Sequence, residues 1–296
     1  MKPPSFDYYA PHSLDEALHF LESGGANANV LAGGQSLMPM LNMRLARPAI
    51  IVDINGISSL NHLKAGPDML IVGALVRHAD LLRDSEVRRG WPLLAEATAM
   101  VAHPAIRNRG TVCGSIAHAD PAAEHPGVLL TLDGSVVVAG VAGRREIPAG
   151  EFFVSMLTTA LEPGEMVVEV HYPPLPVGTG TAFVEFSRRH GDFAVVGVAA
   201  ALTVRDRVCQ AARITLVGVG ETPFRARAAE AALDGRRLGP ADSGGAFAAA
   251  AGEVVAAVDP ADDVHASSSY RRHLAGVLTE RALQTALARA GGNQIG

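Results

Sequence analysis

The stretch Val30-Leu31-Ala32-Gly33-Gly34-Gln35-Ser36-Leu37 is a short apolar run that ends abruptly in two glycines and a polar pair. The run predicts a strand. The glycines predict a tight loop, because glycine accepts positive φ and places no Cβ between its amide and a neighbour. Successive exposed amides in such a loop form a concavity that binds anions, and Gln35 and Ser36 add side-chain donors. From these residues alone, a phosphate-binding loop and an ordinary strand-to-helix turn are equally well supported. We call residues 32–36 the first glycine loop.

Composition restricts the class of protein. The 296 residues are 48% hydrophobic and 19% charged, which indicates a folded protein with room for two or three subdomains. The net charge of −5 disfavours general binding to nucleic acid or to anionic membranes. The sequence has no apolar run of about 18 residues and no basic leader before an apolar core. We therefore expect no stable membrane insertion and predict a cytoplasmic location.

Several common site types do not match the sequence. The two cysteines, Cys113 and Cys209, have no metal-type spacing to a histidine pair. A disulfide scaffold, and an iron–sulfur or zinc site built by this chain alone, are therefore not expected. The first glycine loop lacks the three-glycine spacing of nicotinamide-binding Rossmann domains, and neither a Walker-type lysine loop nor a Gly-x-Ser-x-Gly elbow occurs.

The first 175 residues predict two α/β subdomains that face each other across a cleft. Ser13 and Glu16 form a capping box that begins a helix before the first glycine loop. Residues 50–54 predict a buried strand from their β-branched content. We assign residues 1–55 to the first subdomain and residues 56–175 to the second.

The chain changes character after the proline-rich link at residues 173–176. Three long antiparallel strands and then three helices are predicted, at residues 182–186, 195–204, 212–219, 225–233, 244–258 and 268–290. Residues 176–296 are therefore assigned to a C-terminal α+β domain with a three-stranded antiparallel sheet and helices. The whole chain falls in the α+β class.

A second informative stretch, residues 106–126, combines Gly, Thr, Ser, His, Asp and Glu with little helix or strand periodicity. We predict a long loop here, and long loops in compact domains are usually functional. Thr111, Gly114 and Ser115 offer donors that suit a second part of the ligand held by the first glycine loop.

Charged side chains surround this stretch. His103, His118 and His125 invite a metal or acid/base role, but no pair has i,i+4 spacing with an acidic partner, so polar roles in the loop are favoured. Arg107 and Arg109 fit three roles that the sequence does not separate: neutralising phosphate, solvated loop charges, or contacts to a partner subunit.

Four stretches together resemble a known family. They are residues 32–37 with Arg44, residues 109–115 (Arg-Gly-Thr-Val-Cys-Gly-Ser), residues 119–122 (Ala-Asp-Pro-Ala) and residues 186–194 (Phe-Ser-Arg-Arg-His-Gly-Asp-Phe-Ala). We call residues 109–115 the second glycine segment and residues 186–194 the third patch. The four stretches occur in the expected order across the full length, and through them the chain resembles the FAD-binding medium subunit of the molybdenum hydroxylases. That family includes bacterial carbon monoxide dehydrogenase, the N-heterocycle dehydrogenases and the flavin domain of xanthine dehydrogenase.

The resemblance implies a fold and a function. The fold is the vanillyl-alcohol-oxidase-type FAD-binding fold of two α/β subdomains, followed by the C-terminal α+β domain. The function is electron transfer from [2Fe-2S] clusters of a small partner subunit, through non-covalent FAD, to an external acceptor. Hydroxylation takes place on a molybdopterin-type cofactor in a large partner subunit, and a dimer of heterotrimers is implied. No side chain here is then expected to be a catalytic acid, a base or a metal ligand. The alternative is a self-sufficient FAD-dependent oxidase or dehydrogenase of the same fold.

The resemblance also implies which residues contact FAD. Those that wrap the pyrophosphate are Ala32, Gly33, Gly34, Gln35, Ser36, Leu37 and Met38. Those that cover pyrophosphate and flavin-proximal atoms are Thr111, Val112, Cys113, Gly114 and Ser115. Glu124 matches an acidic residue at the ribityl or adenosine hydroxyls, and Ile106, Val167 and Phe193 match positions near the rings.

The chain departs from the family pattern at three positions. Cys113 replaces the first of two glycines in the second glycine segment, where positive φ would strain it. A small packed residue is favoured there over a flavin-linking or redox thiol. Glu185 and Phe193 stand where several relatives carry lysine or tyrosine, which puts any lysine contact to the flavin in doubt.

Overall fold

The computed structural model describes residues 2–239 and 243–292, and the first of its sheets is small and parallel. Its strands lie in the order β1-β3-β2, with β1 at Asp7–Tyr9, β2 at Ala28–Leu31 and β3 at Ile50–Asp53. Helix α1 (Leu14–Gly24) connects β1 to β2, and α2 (Leu37–Asn42) follows the first glycine loop.

The predicted capping box is present at the start of α1. The Ser13 hydroxyl accepts a hydrogen bond from the Glu16 amide at 3.2 Å. The Glu16 carboxylate accepts one from the His12 amide at 3.0 Å. The Glu16 amide, which the helix itself leaves without an acceptor, and the His12 amide just before the cap are thereby paired, which fixes where the helix begins.

The second sheet is antiparallel, and its buried side chains belong to the same apolar core as those of the first sheet. Its region contains β4 (Leu63–Ala65), β5 (Leu70–Gly73), β6 (Ser135–Gly140), β7 (Gly143–Pro148), β8 (Phe153–Ser155), β9 (Thr158–Thr159) and β10 (Met166–Tyr172). Five of these form the order β4-β5-β10-β6-β7, while β8 and β9 form a separate hairpin. The helices of this region are α3 (His78–Arg83), α4 (Ser85–Gly90), α5 (Pro92–Met100), α6 (Pro104–Arg107), α7 (Val112–His118), α8 (Glu124–Thr131) and α9 (Ala149–Phe152).

The prediction of a long loop at residues 106–126 is wrong, because α6, α7 and α8 occupy most of it. Each of these helices is eight residues or shorter, so none repeats an apolar face often enough to give a helical period. Local signals define α7 instead. Thr111 caps its start, and Ala119, in the left-handed conformation, ends it.

The third sheet contains the three long antiparallel strands predicted after residue 176. They are β11 (Thr179–Phe186), β12 (Val196–Arg205) and β13 (Val208–Val217), and β14 (Phe224–Arg225) adds a fourth strand in the order β11-β12-β13-β14. The prediction of three strands missed β14, because two residues show no alternation. Helices α10 (Arg227–Leu233), α11 (Ser243–Ala257) and α12 (Ser268–Gly292) complete this part. Residues 240–242 and 293–296 of the predicted C-terminal domain lie outside the described residues.

The buried apolar side chains form two clusters in the described residues. One cluster contains residues from Ala17 on α1 to Tyr172 on β10, with Ala199 of β12, so the first two sheets share a core. The other joins the third sheet to α10, α11 and α12. The predicted limits at residues 55 and 175 remain predictions; the second falls between β10 and β11.

Polar contacts fix the third sheet against the first cluster. The Glu96 carboxylate of α5 accepts from the Phe183 amide at 3.2 Å and pairs with Arg289 at 2.6 Å. The Arg225 guanidinium donates to the Leu130 carbonyl at 2.7 Å and to Asp133 at 2.8 Å. In the described ranges, no helix is both long enough and apolar enough to cross a membrane.

Candidate functional site

A cavity of about 770 Å³ lies where the first glycine loop meets the second glycine segment. This volume is within the range of sites that hold small molecules and cofactors. Residues 157 and 161–167 form a further wall, and residues 191–193 of the third patch reach it from the third sheet. Each of the four stretches of the resemblance supplies lining residues, namely 32–37, 110, 111 and 113–115, 120, and 191–193.

Most of the predicted FAD contacts line this cavity. They are Ala32, Gly33, Gly34, Gln35, Ser36, Leu37, Ile106, Thr111, Cys113, Gly114, Ser115, Glu124, Val167 and Phe193. Met38 and Val112 are not among the lining residues. Val112 belongs to the buried core, and Met38 is partly exposed on α2. Folding thus brings together residues that are up to 161 positions apart in the chain, from 32 to 193.

The first glycine loop leaves its amides open. None of the backbone amides of residues 33–37 donates a hydrogen bond to another described residue. Gly34 has φ of 70°, a conformation that L-residues with side chains rarely adopt. A Cβ on Gly33 would lie 2.6 Å from the Arg109 carbonyl oxygen and 2.7 Å from Gly110 Cα. Both glycines are therefore required, one for the conformation and the other for the close approach of two backbones.

The second glycine segment uses most of its amides in hydrogen bonds within the protein. Gly110 donates to Ile106, Val112 to Val76 and Gly114 to the Thr111 hydroxyl, at 2.7, 3.2 and 3.0 Å. This segment is consequently the start of a capped helix, in which the Thr111 and Cys113 amides alone have no acceptor among the described residues.

Cys113 is a packed residue in α7. Its backbone is helical, so the strain expected from a positive φ is absent. The Sγ atom lies 3.4 Å from the Val72 carbonyl oxygen, and the side chain is 2% exposed. Burial raises the pKa of the thiol far above its ordinary value. These features support the small packed residue and not a reactive thiol.

An uncharged acid lines the cavity at the start of α8. The Glu124 side chain is 5% exposed, and burial raises its pKa to about 8, with Glu185 and Asp120 adding to the shift. Burial also raises the pKa of Glu185 to about 7. At neutral pH, Glu124 is therefore mainly protonated and can donate as well as accept a hydrogen bond.

The histidines near the site occupy polar and packing positions. His125 is buried on α8, and its ring lies 4.8 Å from that of His78, measured between centroids. His78 lines the cavity, and burial lowers its pKa to about 4. His103 lies 6.0 Å from His190, also between centroids. Among the described residues, no group of three side chains is arranged to hold a metal ion.

Arg107 has a structural contact. Its guanidinium donates to the carbonyls of Val101 and Ala102 at 2.7 and 2.8 Å, and both of these residues line the cavity. Arg107 thus braces the cavity wall that follows α5, and the three roles that the sequence leaves open for it stay predictions.

Sequence reasoning missed two polar residues beside the site. Asn55 donates to the Ala32 carbonyl, and Arg77 donates to the Arg109 carbonyl. A signal for Asn55 existed, because β2 and β3 are parallel neighbours and ligands bind outside the carboxyl ends of parallel strands. No comparable local signal marks Arg77, which precedes an ordinary short helix.

The comparisons with known proteins agree with this geometry. Residues 4–175 match the family model described as FAD binding domain in molybdopterin dehydrogenase. Residues 181–286 match the CO dehydrogenase flavoprotein C-terminal domain.

Relatives of known function cover nearly the whole chain. The 6-hydroxypseudooxynicotine dehydrogenase complex subunit alpha of Paenarthrobacter nicotinovorans is 46% identical over 98% of this chain and 97% of its own length. The carbon monoxide dehydrogenase medium chain of Hydrogenophaga pseudoflava is 37% identical over 98% and 99%.

Solved structures give the same result. A structure of carbon monoxide dehydrogenase from Hydrogenophaga pseudoflava matches with a TM-score of 0.94 and 39% identity, covering 98% of this chain and 99% of that one. A structure of quinoline 2-oxidoreductase from Pseudomonas putida 86 matches with a TM-score of 0.92 and 38% identity, at the same coverage. The chain is therefore an oxidoreductase subunit that belongs to the family of FAD-binding medium subunits of the molybdenum hydroxylases.

Proposed function

We propose that this chain holds FAD in the 770 Å³ cavity and relays electrons from a partner's [2Fe-2S] clusters to an external acceptor. The observation that carries the proposal is the run of unpaired amides at residues 33–37 on the wall of a cofactor-sized cavity. Successive amides of this kind bind anions, and the FAD pyrophosphate is the anion that the family supplies.

The residues around the cavity suit the parts of FAD. The first glycine loop would hold the pyrophosphate, with Gln35 and Ser36 as further donors. The protonated Glu124 would exchange hydrogen bonds with ribityl or adenosine hydroxyls. Ile106, Val167 and Phe193 would cover the rings, and Phe193 is 62% exposed, so its ring is available to a bound cofactor.

The chemistry would reside in the cofactor. FAD, when bound, accepts and releases electrons singly or in pairs, so it connects one-electron clusters to two-electron acceptors. The protein would bind and orient it and exclude water from its apolar side. No side chain of this chain needs to act as an acid or base on an organic substrate.

The partners would follow the family. A small subunit with two [2Fe-2S] clusters and a large subunit with a molybdopterin-type cofactor would assemble with this chain, as a dimer of heterotrimers in the cytoplasm. Relatives of 36–46% identity over nearly the whole chain are named for a nicotine derivative, carbon monoxide, caffeine and glyceraldehyde. The medium subunit therefore does not indicate the substrate, whose site would lie on the large subunit.

Purification of the full chain alone tests the proposal. We expect about one FAD per chain after denaturation, no iron or molybdenum, and no oxidation of nicotine derivatives, caffeine or aldehydes. The complex isolated from its native source is expected to contain iron, molybdenum and two further chains. Turnover of an organic substrate by the isolated chain would instead establish a self-sufficient oxidase or dehydrogenase. Absence of flavin from both preparations would overturn the proposal.

A further inference from the structure

A chain of hydrogen bonds joins the two glycine-rich walls of the cavity. Arg77 donates through Nη1 to the Arg109 carbonyl at 2.5 Å and through Nη2 to Asn55 Oδ1 at 2.6 Å. Asn55 in turn donates through Nδ2 to the Ala32 carbonyl at 2.9 Å. The carbonyl that enters the first glycine loop is thus connected, through two side chains, to a carbonyl of the second glycine segment. We call this connection the Arg77–Asn55 link.

Both side chains of the link are oriented by their surroundings. Asp53 Oδ1 accepts from the Asn55 amide at 2.9 Å and from Asn55 Nδ2 at 2.6 Å. Asp53 Oδ2 accepts from the Tyr8 hydroxyl at 2.6 Å. The backbone of Arg77 bridges that of Thr111, so the arginine begins beside the segment that its side chain contacts.

Each of the two carbonyls accepts from a single donor in the part of the chain that the structure describes. Among the described residues, only Asn55 donates to the Ala32 carbonyl and only Arg77 to the Arg109 carbonyl. In a trans peptide, the C=O and the following N–H point to opposite sides. Fixing the Ala32 carbonyl toward Asn55 therefore turns the Gly33 N–H away from the link. The Gly33 amide is the first of the run of unpaired amides.

The backbones are in contact where the link joins them. The Arg109 oxygen that accepts from Arg77 is the atom a Cβ on Gly33 would meet at 2.6 Å. Without a donor, that oxygen would face the first glycine loop unpaired, and the two walls would have no polar contact to hold them together at this point.

We propose that Arg77 and Asn55 are positioning residues that hold the two glycine-rich walls at the separation and orientation FAD binding requires. This inference rests on the proposed function, and neither residue lies in any of the stretches that carry the family resemblance. Arg77 suits the role because its planar fork reaches two acceptors at once, which a lysine ammonium does less well.

Measuring FAD affinity in variants of the full chain tests the link. The flavin is removed and re-added, and the dissociation constant is read from quenching of flavin fluorescence. Arg77→Met keeps the apolar stem but removes both donors, and we expect the dissociation constant to rise about tenfold. Arg77→Lys should recover part of the affinity. Arg83→Met is the matched control, because Arg83 ends the short helix that Arg77 precedes, and its guanidinium pairs only with Asp80 among the described residues.

A double-mutant cycle separates positioning from general support of the fold. If the two residues act through one link, Asn55→Ala combined with Arg77→Met should weaken FAD binding no more than Arg77→Met alone. The thermal unfolding of the flavin-free variants should stay close to that of Arg83→Met. The link would be overturned if the two substitutions weakened FAD binding additively. It would also be overturned if FAD binding weakened only in variants whose unfolding temperature is lowered. If Arg77→Met does not fold, the FAD affinity and unfolding temperature of Asn55→Ala are compared with those of Arg83→Met. Weaker FAD binding at an unchanged unfolding temperature would then support the link, and unchanged FAD binding would overturn it. Wild-type chain that binds no FAD would instead overturn the proposed function.

Discussion

The two glycine-rich walls of the cavity differ in how they use their glycines and amides. In the first glycine loop, residues 33–37 leave every amide without a described protein acceptor. In the second glycine segment, Gly110, Val112 and Gly114 all donate within the protein. Similar composition therefore produces two different surfaces, one that is free to bind an anion and one that is a rigid support. A glycine-rich motif indicates a close approach, and only the hydrogen bonds around it indicate which partner approaches.

The largest effect is expected from the first glycine loop. The double change Gly33→Val with Gly34→Val should abolish flavin content, because a side chain at residue 33 overlaps the second glycine segment and a side chain at residue 34 is strained at φ of 70°. The C-terminal domain should remain folded. Flavin absorbance per chain and far-ultraviolet circular dichroism measure the two outcomes. Gly252→Ala is the control, since no atom lies near its added Cβ. Full flavin retention would mean that the loop is only a turn.

The strength of the sequence evidence differs between the same two walls. A strand that ends in a tight loop was predicted correctly at the first glycine loop, because the apolar run and the glycines are adjacent. The second glycine segment was predicted to be a loop and is the start of a short helix. The sequence did not reveal this helix, because seven residues are too few to show a helical period. Arg77 contacts the second glycine segment from 32 positions away, and this long-range contact leaves no local pattern. Asn55 contacts the first glycine loop from 23 positions away, and its place after the parallel strand β3 is the one available signal.

The next effect concerns pH and Glu124. Its pKa rises from an ordinary 4.5 to about 8 in the folded chain, so between these values the folded state holds more protons than the unfolded state. The contribution of protonated Glu124 to the free energy of unfolding is fully present below pH 4.5 and is lost as pH rises toward 8. At pH 7 the cost relative to acidic pH is on the order of 3 kcal/mol.

Chemical unfolding across pH measures this effect. Glu124→Gln keeps a neutral side chain, so its stability should fall less steeply than that of wild type from pH 5 to pH 8. The exposed Glu253→Gln is the control and should follow the wild-type curve. Parallel curves for Glu124→Gln and wild type would mean that Glu124 is ionised in the folded chain.

A smaller effect is expected at the cap of the second glycine segment. Thr111→Val removes the hydroxyl that accepts from the Gly114 amide and should lower the free energy of unfolding by about 1 kcal/mol. FAD affinity should fall only a few-fold, because the first glycine loop keeps its open amides. Thr111→Ser should restore stability. Denaturant unfolding and fluorescence titration measure the two quantities. If Thr111→Val lost flavin as completely as the double glycine variant, the second glycine segment would bind FAD as directly as the first glycine loop does.

The smallest effect is expected at Cys113, and it shows how a residue can sit beside a cofactor site without taking part in its chemistry. The thiol is 2% exposed, packs on α7 with Sγ 3.4 Å from the Val72 carbonyl oxygen, and has a raised pKa because it is buried. Nucleophilic or flavin-linking chemistry requires the thiolate, which this environment disfavours. Cys113→Ala should keep full flavin content and lose about 1 kcal/mol of stability through the smaller side chain. The intact mass of denatured wild type should show no covalent flavin. A mass increased by one FAD, absent in Cys113→Ala, would show that the second glycine segment binds the cofactor through a bond and not only through its shape.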